Sequence, residues 1–327
     1  MKKILIIGIT GQDGSYLCRY LLKLNYEVHG IVRRLSVSEN QTSRLDDINN
    51  HVHLHYGDLL DGQGLFNIIS KVKPLEIYNL AAMSHVGISR EIPYFTIQTN
   101  GAAVVNILEI IKNNFPKIKF YQASSSEMFG NSVDDDKFQR LSTPMNPVSI
   151  YGCSKLLAFN LVRHYRAAYK LNLRNGILFN HESPLRGSNF VTSKIIKTAV
   201  EIKEGLKNKV FLGNLDSYRD WGHAKDYVKA MKMIVDYDEP RDWIVSSGVS
   251  RSVRDICDYT FKKLDLDYKD FVVQDPKFIR SEELNFLRGD SSEIRNILGW
   301  KPEISFEELI DEMLHHWYEK IHNNKKK

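Results

Sequence analysis

An apolar run followed at once by three evenly spaced glycines stands near the start of the chain and constrains its fold most strongly. Residues 3–8 have the length of a buried strand and lead into Gly8-Ile9-Thr10-Gly11-Gln12-Asp13-Gly14, after which an amphipathic helix is predicted over residues 15–24. Such glycines let the backbone approach a pyrophosphate, which then lies at the positive end of the helix. A simple strand-to-helix turn is the alternative, but position, spacing and flanks together favour dinucleotide binding.

Strands and helices then alternate along the first half of the chain. Further strands are predicted at residues 27–32, 51–56, 76–80, 119–123 and 175–178. This alternation predicts an α/β fold, a Rossmann-type doubly wound parallel sheet. Beyond residue 180 the alternation becomes irregular. We therefore predict a nucleotide-binding domain over residues 1–179, to which some later segments return, and a smaller interleaved domain for a second ligand over residues 180–327.

The residues that follow the early strands indicate which nucleotide is bound. Arg33 and Arg34 follow the second strand, where a site that prefers NAD is expected to carry an acidic residue for the ribose. A guanidinium suits a 2′-phosphate, because it is always charged and can bond in a bidentate manner. Asp58, after the third strand, could accept from an adenine amine. The sequence therefore predicts NADP as the cofactor.

Three alternating histidines, His51, His53 and His55, have the appearance of a metal site. They fall in a short strand whose other face is apolar, and no additional cluster of His, Cys or carboxylate residues has the spacing of a structural zinc site. The sequence therefore predicts no metal.

The strand at residues 119–123 leads into Ser124-Ser125-Ser126-Glu127, a group of hydroxyls and a carboxylate at the carboxyl end of a strand. A helix is predicted to begin at Pro147, and it places Tyr151 and Lys155 on one face, four residues apart. A fixed cation beside a phenol is predicted to lower the phenol pKa from about 10 toward the range of a general base. By itself Tyr-x-x-x-Lys is also found on many surface helices.

Composition excludes several classes of protein. The 327 residues are 43% hydrophobic, and no stretch approaches the 18 or so apolar residues of a membrane-spanning helix. The opening apolar run is too short for a secretory signal, so a cytoplasmic location is predicted. The net charge of +5 is modest and spread out, which favours small anionic ligands over nucleic acid. Three scattered cysteines predict reduced thiols.

These motifs, in this order, resemble the GDP-mannose 4,6-dehydratase family of extended short-chain dehydrogenases. The likeness runs from Lys3 to about Trp317 and is most specific over residues 8–16, 26–34, 178–184, 212–227 and 298–302. The family carries Thr-Ser-Glu where this chain has Ser125-Ser126-Glu127. Because dTDP-glucose dehydratases have Asp beside the Glu, Ser126 favours the GDP-sugar branch.

The resemblance implies a role for each residue of the central group. Tyr151 would deprotonate the sugar 4-hydroxyl as hydride leaves C4 for NADP, and Lys155 would tune that phenol and hold the nicotinamide ribose. Glu127 would remove the C5 proton and help expel the C6 hydroxyl, while Ser125 would bond to the developing 4-oxo group. Hydride would return to C6, so that no cofactor is consumed.

The resemblance also implies two sets of binding residues and an assembly. NADP would be held by Gly8, Thr10, Gly11, Gln12, Asp13, Arg33, Asp58, Leu59, Leu80, Ala81, Ala82, Ser84, Tyr151, Lys155, His181 and Arg186. The GDP-sugar would be held by Ser84, Ser125, Asn180, Lys194, Arg219, Arg280 and Glu283. The two arginines of that set could equally form surface ion pairs. The polar loop 35–44 resembles a segment that crosses to a neighbour's cofactor, which implies a homotetramer, with a dimer as the alternative.

The chain departs from the family pattern at three positions. Ser125 replaces a Thr and keeps its hydroxyl, Phe95 stands where a Tyr is usual, and Leu185 replaces the first of two arginines. The last two changes favour a relative that handles GDP-D-glycero-α-D-manno-heptose, in which C6 carries an extra hydroxymethyl. The alternatives are a 4-epimerase or 4-reductase of the same fold, and a cofactor-binding protein without catalysis.

Overall fold

The computed structural model describes residues 1–34, 42–279 and 282–325, except for the side chains of residues 324 and 325. Its strands are β1 (Lys3–Ile7), β2 (Glu27–Val32), β3 (Val52–Tyr56), β4 (Glu76–Asn79), β5 (Lys119–Ser125), β6 (Leu173–Leu178), β7 (Asn180–Glu182), β8 (Val210–Leu212), β9 (Tyr218–His223), β10 (Asp242–Val245), β11 (Ser250–Ser252) and β12 (Val272–Gln274). Its α-helices are α1 (Gln12–Lys23), α2 (Gly62–Val72), α3 (Val86–Ser89), α4 (Pro93–Ile97), α5 (Val104–Asn114), α6 (Ile150–Tyr169), α7 (Val191–Lys203), α8 (Ala224–Asp236), α9 (Val253–Lys262), α10 (Tyr268–Phe271), α11 (Ser292–Leu298) and α12 (Phe306–Lys325).

Seven strands form one parallel sheet in the order β3-β2-β1-β4-β5-β6-β10. This is the predicted doubly wound Rossmann arrangement. The strand order reverses between β1 and β4, so the helices that follow these two strands leave on opposite faces of the sheet. A crevice therefore opens at the carboxyl ends of these strands, where such sheets bind their ligands.

Each face of the sheet has its own hydrophobic core. On one face, Leu17 of α1 and Met231 of α8 pack with Ile4 and Ile6 of β1. On the other, apolar side chains of α2, α5 and α6 pack with Leu5 and Ile7 of the same strand. The strict alternation along β1 explains why this strand reads as a continuous apolar run, since both of its faces are buried.

The second half of the chain builds a separate core and also returns to the large sheet. The helices α7, α9 and α12 contribute to a third cluster that includes Ile195, Ile256, Leu309 and Trp317. Two small sheets lie beside it, with strand orders β11-β9-β7 and β12-β8. In contrast, β10 pairs with β6 in the seven-stranded sheet. The division at residue 180 stays a prediction.

Several boundaries differ from the sequence predictions. The first helix begins at Gln12 rather than at residue 15, and β5 extends through Ser125. The prediction that a helix begins at Pro147 is wrong, because α6 begins at Ile150. The Ser149 hydroxyl accepts from the Gly152 N–H and so caps the helix. A proline side chain has no acceptor with which to satisfy such a backbone donor.

The cysteines and the helices bear on two expectations from composition. Cys18 and Cys257 are buried free thiols, and Cys153 is an exposed free thiol. None of the helices in the described part of the chain is both long and apolar enough to cross a lipid bilayer.

Candidate active site

The turn between β1 and α1 brings two backbone segments into direct contact. Gly8 has φ +87°, and a Cβ on it would lie 2.8 Å from the Ala81 nitrogen, at the end of β4. A Cβ on Gly14 would lie 2.3 Å from the Gly8 oxygen. Both positions therefore require glycine, and the first turn of α1 stays open to an approaching ligand, as the sequence predicts for a pyrophosphate.

A cleft of about 360 Å³ opens along the carboxyl ends of β1 to β4. It is lined by most of the residues predicted to hold the nucleotide, namely Gly8, Thr10, Gly11, Gln12, Asp13, Arg33, Asp58, Leu59, Leu80, Ala81, Ala82, Ser84 and Arg186. A cleft that runs past the glycine turn and has a guanidinium beyond β2 fits a dinucleotide. Residues from both sides of the strand-order reversal thus line one cavity.

Three guanidinium groups, those of Arg33, Arg44 and Arg186, line this cleft. Arg44 was not among the predicted nucleotide residues. Its side chain donates to the Thr10 carbonyl and to the Leu185 carbonyl, each at 3.0 Å. Burial lowers the pKa of Arg44, and the charge of Arg186 lowers it further. This concentration of positive charge suits the phosphates of a dinucleotide.

A buried hydrogen-bond network joins the glycine turn to β7. The Asp13 carboxylate lies 2.7 Å from His181 Nε2, and the Gln12 amide donates to the His181 carbonyl at 3.1 Å. Burial tends to raise the pKa of Asp13, but the charge and hydrogen bond of His181 hold it below its ordinary value. Burial likewise tends to lower the pKa of His181, and Asp13 outweighs it, so that this pKa is raised. The folded chain therefore favours the charged form of each member of the pair, the aspartate and the imidazolium.

The four predicted catalytic residues come together at the end of β5 and the start of α6. Ser125 and Glu127 are each 8% exposed, and the Ser125 hydroxyl accepts from the Glu127 N–H at 3.2 Å. The Tyr151 phenol hydrogen-bonds with Ser125, and Lys155 Nζ lies 5.8 Å from the centre of the Tyr151 ring. Two hydroxyls, a carboxylate and an ammonium are thus gathered in a site largely closed to water.

The prediction that Lys155 lowers the pKa of Tyr151 is wrong for these protein groups by themselves. Burial raises the pKa of Tyr151 to about 12, although the hydrogen bond with Ser125 opposes the shift. Burial also lowers the pKa of Lys155 to about 8, against the charge of Asp13. The physical reason is that desolvation of the phenol dominates, while the Lys155 ammonium donates to the Ala123 carbonyl at 2.9 Å instead of to the phenol.

Apart from Ser84 and Ser125, the residues predicted to hold the second ligand lie in the C-terminal half. Asn180 of β7 pairs with Trp221 of β9, and Arg219 lies two residues before Trp221 on the same strand. Asn180 and Arg219 therefore belong to one small sheet. Lys194 lies apart from them on α7, where its ammonium donates to the Phe211 carbonyl at 2.6 Å. The Glu283 carbonyl accepts from Asn131 at 2.9 Å. Arg280 lies outside the described residues.

A family model described as GDP-mannose 4,6 dehydratase matches residues 5–313 of the chain. The chain belongs to this family. It is 44% identical over 325 residues to GDP-mannose 4,6 dehydratase 1 of Arabidopsis thaliana, covering 96% of this chain and 89% of that protein. It is 43% identical over 338 residues to the human GDP-mannose 4,6 dehydratase, covering 95% of this chain and 90% of that protein.

The fold of this family member is shared by more distant solved structures. A UDP-glucose 4-epimerase of Thermotoga maritima, solved with UDP-glucose, matches with a TM-score of 0.86 at 20% identity. The match covers 98% of this chain and 99% of that one. At 20% identity this likeness shows a shared fold and does not indicate the reaction.

Sequence reasoning missed two residues that help to position the predicted catalytic group. Ser149 caps α6 and also donates to the Glu127 carboxylate at 3.3 Å. Asn100, which is 2% exposed, receives the Met83 N–H at 2.7 Å and donates to the Ser154 hydroxyl at 3.1 Å. It thereby connects the wall of the cleft to α6. Because the helix was predicted to begin at Pro147, Ser149 fell inside it and no cap was expected there. Asn100 offered no signal either.

The polar loop that implied a tetramer is described only at its end. Residues 35–41 lie outside the described part of the chain, whereas Arg44 contacts the cleft of its own chain through Thr10 and Leu185. The crossing of this loop to a neighbour therefore stays a prediction.

Proposed function

We propose that this protein is an NADP-dependent 4,6-dehydratase, which converts a GDP-manno-configured sugar to its 4-keto-6-deoxy product. The observation that carries the proposal is the buried carboxylate of Glu127 beside Tyr151, Ser125 and Lys155. An oxidation at C4 alone needs a phenol and an ammonium, while loss of water between C5 and C6 needs an additional base. Membership of the family agrees with this assignment.

Tyr151 would take the proton of the sugar 4-hydroxyl, with Ser125 bonded to the same oxygen as it becomes a ketone. Lys155, whose ammonium donates to the Ala123 carbonyl at 2.9 Å, would hold the nicotinamide ribose. A bound NADP would supply the hydride acceptor at C4 and the hydride donor at C6.

Glu127 would remove the proton from C5, which is acidic beside the new ketone, and deliver a proton to the departing C6 hydroxyl. Its carboxylate is held by the Ser149 hydroxyl, and its own backbone N–H is held by Ser125. This fixed orientation matters because a general base must lie within hydrogen-bond reach of the proton it takes.

Substitution of Glu127 distinguishes the dehydratase from a 4-epimerase or 4-reductase of the same fold, which needs no base at C5. We expect Glu127→Gln to lose elimination and to retain at most the first oxidation, measured by release of the C5 proton as solvent exchange and by the alkali-induced absorbance of a 4-keto sugar. Glu239→Gln, at an exposed position, is the matched control. Unchanged turnover in Glu127→Gln would favour the rival reactions.

The proposal of NADP rests on Arg33, whose guanidinium lines the cleft beyond the end of β2. A charged hydrogen bond to a 2′-phosphate contributes about 1.5–3 kcal/mol. Denaturing the purified protein and identifying the released nucleotide by mass tests it directly, with NADP expected. Recovery of NAD alone would refute this role for Arg33.

We further propose GDP-D-glycero-α-D-manno-heptose as the preferred sugar, with GDP-mannose as a weaker substrate. Support comes from Phe95, which lines the cleft, and from Leu185, where the family has larger polar groups. Discrimination over one carbon and one hydroxyl is worth about 1–3 kcal/mol, so activity on both is expected. Side-by-side kinetics should give the higher kcat/KM with the heptose, and a preference for GDP-mannose would reverse this choice while leaving the dehydratase assignment intact.

A cofactor-binding protein without catalysis is the competing class. The gathered group of Ser125, Glu127, Tyr151 and Lys155 argues against it. Incubation of the nucleotide-loaded protein with both GDP-sugars should give a 4-keto product. Absence of product from both would favour the non-catalytic alternative.

We also propose that Asn180, Lys194, Arg219, Arg280 and Glu283 hold the GDP-sugar within a C-terminal domain, and that four chains assemble. Support for assembly comes from apolar side chains left exposed on and around α3 and α4, among them Ile88, Ile92 and Tyr94. Light scattering on the purified protein should give the mass of a tetramer. A monomer at all concentrations would contradict the assembly.

A further inference from the structure

Two neighbouring strands of the large sheet carry histidines and a carboxylate on the same face. The register pairs His29 of β2 with His53 of β3, and Ile31 with His55. Because side chains two residues apart lie on one face of a strand, Glu27, His29, His53 and His55 all project to that face. The prediction of no metal rested on three histidines of one strand, and the sheet adds two further candidate ligands from its neighbour.

The four side chains are in contact. Glu27 Oε1 lies 3.0 Å from His29 Nε2, and His29 Nδ1 lies 2.9 Å from His55 Nε2. The rings of His29 and His53 stack with centroids 4.8 Å apart, and one ligating atom each from Glu27, His29 and His53 all lie within 4.8 Å of one another. Among the described residues no second group of three has this proximity.

These separations are close to those of a metal centre. Zinc bonds to His nitrogen and carboxylate oxygen at about 2.0–2.2 Å, so that tetrahedral ligand atoms lie about 3.3 Å apart. His53 is exposed and can close the remaining gap by side-chain rotation, while His29 is 7% exposed and held from both ring nitrogens. We propose that Glu27, His29 and His53 bind one divalent first-row transition-metal ion, for which zinc is the probe of choice.

The surroundings fit a site of this kind. Two histidines and one glutamate form a recognised zinc ligand set, which leaves a fourth position for water. When His29 Nε2 holds the metal, its Nδ1–H donates to His55 Nε2, and this outer bond fixes the ring orientation. Lys3 Nζ lies 3.6 Å from the Glu27 carboxylate at a half-exposed position, so a bound metal would compete with this ammonium for the carboxylate.

This site is separate from the proposed active site and independent of the proposed function. Glu27 begins β2, whereas Arg33, six residues later, lines the nucleotide cleft. At about 3.3 Å per residue the two ends are about 20 Å apart. A metal bound here would join β3, the edge strand of the sheet, to β2 near their amino ends.

The test uses the full chain without a polyhistidine tag, stripped with chelator and then dialysed against zinc. We expect one tightly held zinc per chain by atomic spectroscopy, and an intense visible d–d absorption when cobalt(II) replaces it. His53→Gln should lower zinc affinity by more than about 100-fold, because loss of an outer partner alone costs 10–100-fold. His55→Gln should lower zinc affinity by only about 10–100-fold, as expected for loss of an outer partner. Zinc should raise the Tm of the wild type but not that of His53→Gln.

His51→Gln and His315→Gln are the matched controls. His51 is exposed and directly precedes β3, and His315 forms an exposed pair with Glu319 on α12. Both variants should keep the wild-type zinc affinity. Unfolding curves recorded in chelator show whether each variant folds, and Glu27→Gln provides a second variant at the site. Absence of bound zinc in the wild type, or equal zinc affinity in the wild type, His53→Gln and Glu27→Gln, would overturn the proposal.

Discussion

Ser149 performs two structural tasks with one hydroxyl, and its substitution is expected to affect stability and catalysis separately. The oxygen accepts from the Gly152 N–H at 3.0 Å to cap α6 and donates to the Glu127 carboxylate at 3.3 Å. Loss of a helix cap costs about 1 kcal/mol. A hydrogen bond to a charged group is worth about 1.5–3 kcal/mol, and this bond is long and Glu127 has further interactions, so the low end applies.

Ser149→Ala is therefore expected to lower the free energy of unfolding by about 2–3 kcal/mol. Each kcal/mol shifts the Tm of a chain of this size by about 2 °C. If the hydrogen bond of about 1.5 kcal/mol orients Glu127 in the elimination step, kcat falls about 10-fold. KM should hold, because Ser149 is buried behind Glu127.

Two variants at the same position separate the contributions. Ser149→Thr keeps the hydroxyl and should keep both stability and kcat. Ser149→Gly costs only a few tenths of a kcal/mol as a helix cap but removes the donor to Glu127, so its kcat should fall as far as that of Ser149→Ala. Thermal unfolding and steady-state turnover of the GDP-sugar measure both effects. A kcat for Ser149→Gly equal to that of Ser149→Thr would refute the positioning of Glu127 by this hydroxyl.

Three further predictions follow from the site. Gly8→Ala should abolish nucleotide retention, measured by mass in the purified protein, because its Cβ would lie 2.8 Å from the Ala81 nitrogen at φ +87°; normal retention would contradict the close approach. Tyr151→Phe should lower kcat by about 10²–10⁴-fold while keeping the nucleotide, and a smaller loss would remove the phenol from proton transfer. The pKa of His181 is raised and that of Asp13 is lowered, so their pairing contributes its full stability between about pH 3.8 and about pH 6.5. The stability that His181 contributes is lost as pH rises through its pKa in the folded protein. His181→Gln should therefore lower Tm more at about pH 5.5 than at about pH 9, and equal losses would argue against an ion pair.

Local patterns were enough to predict the fold, and together with the family resemblance they predicted most of the residues that line the cleft. Each of these patterns is a short contiguous stretch: the apolar run of residues 3–8, the glycines after it, and the arginines after β2. Each glycine or arginine pattern could therefore be assigned to the end of a strand from its neighbours in sequence. The predicted catalytic residues also follow from local patterns, since Ser125 ends β5 and Tyr151 and Lys155 lie one turn apart on α6. Alternation of strands and helices then predicted the parallel sheet.

What only the tertiary structure decided depends on burial and on contacts between distant residues. Asp13 and His181 are 168 positions apart, and Arg44 reaches a carbonyl 141 positions away, so no local spacing indicates either contact. The register of β2 against β3 alone brings Glu27 and His29 to the histidines of the next strand. The pKa of Tyr151 rises because the folded chain removes water from the phenol, a cost set by three-dimensional packing and absent from the Tyr-x-x-x-Lys spacing itself.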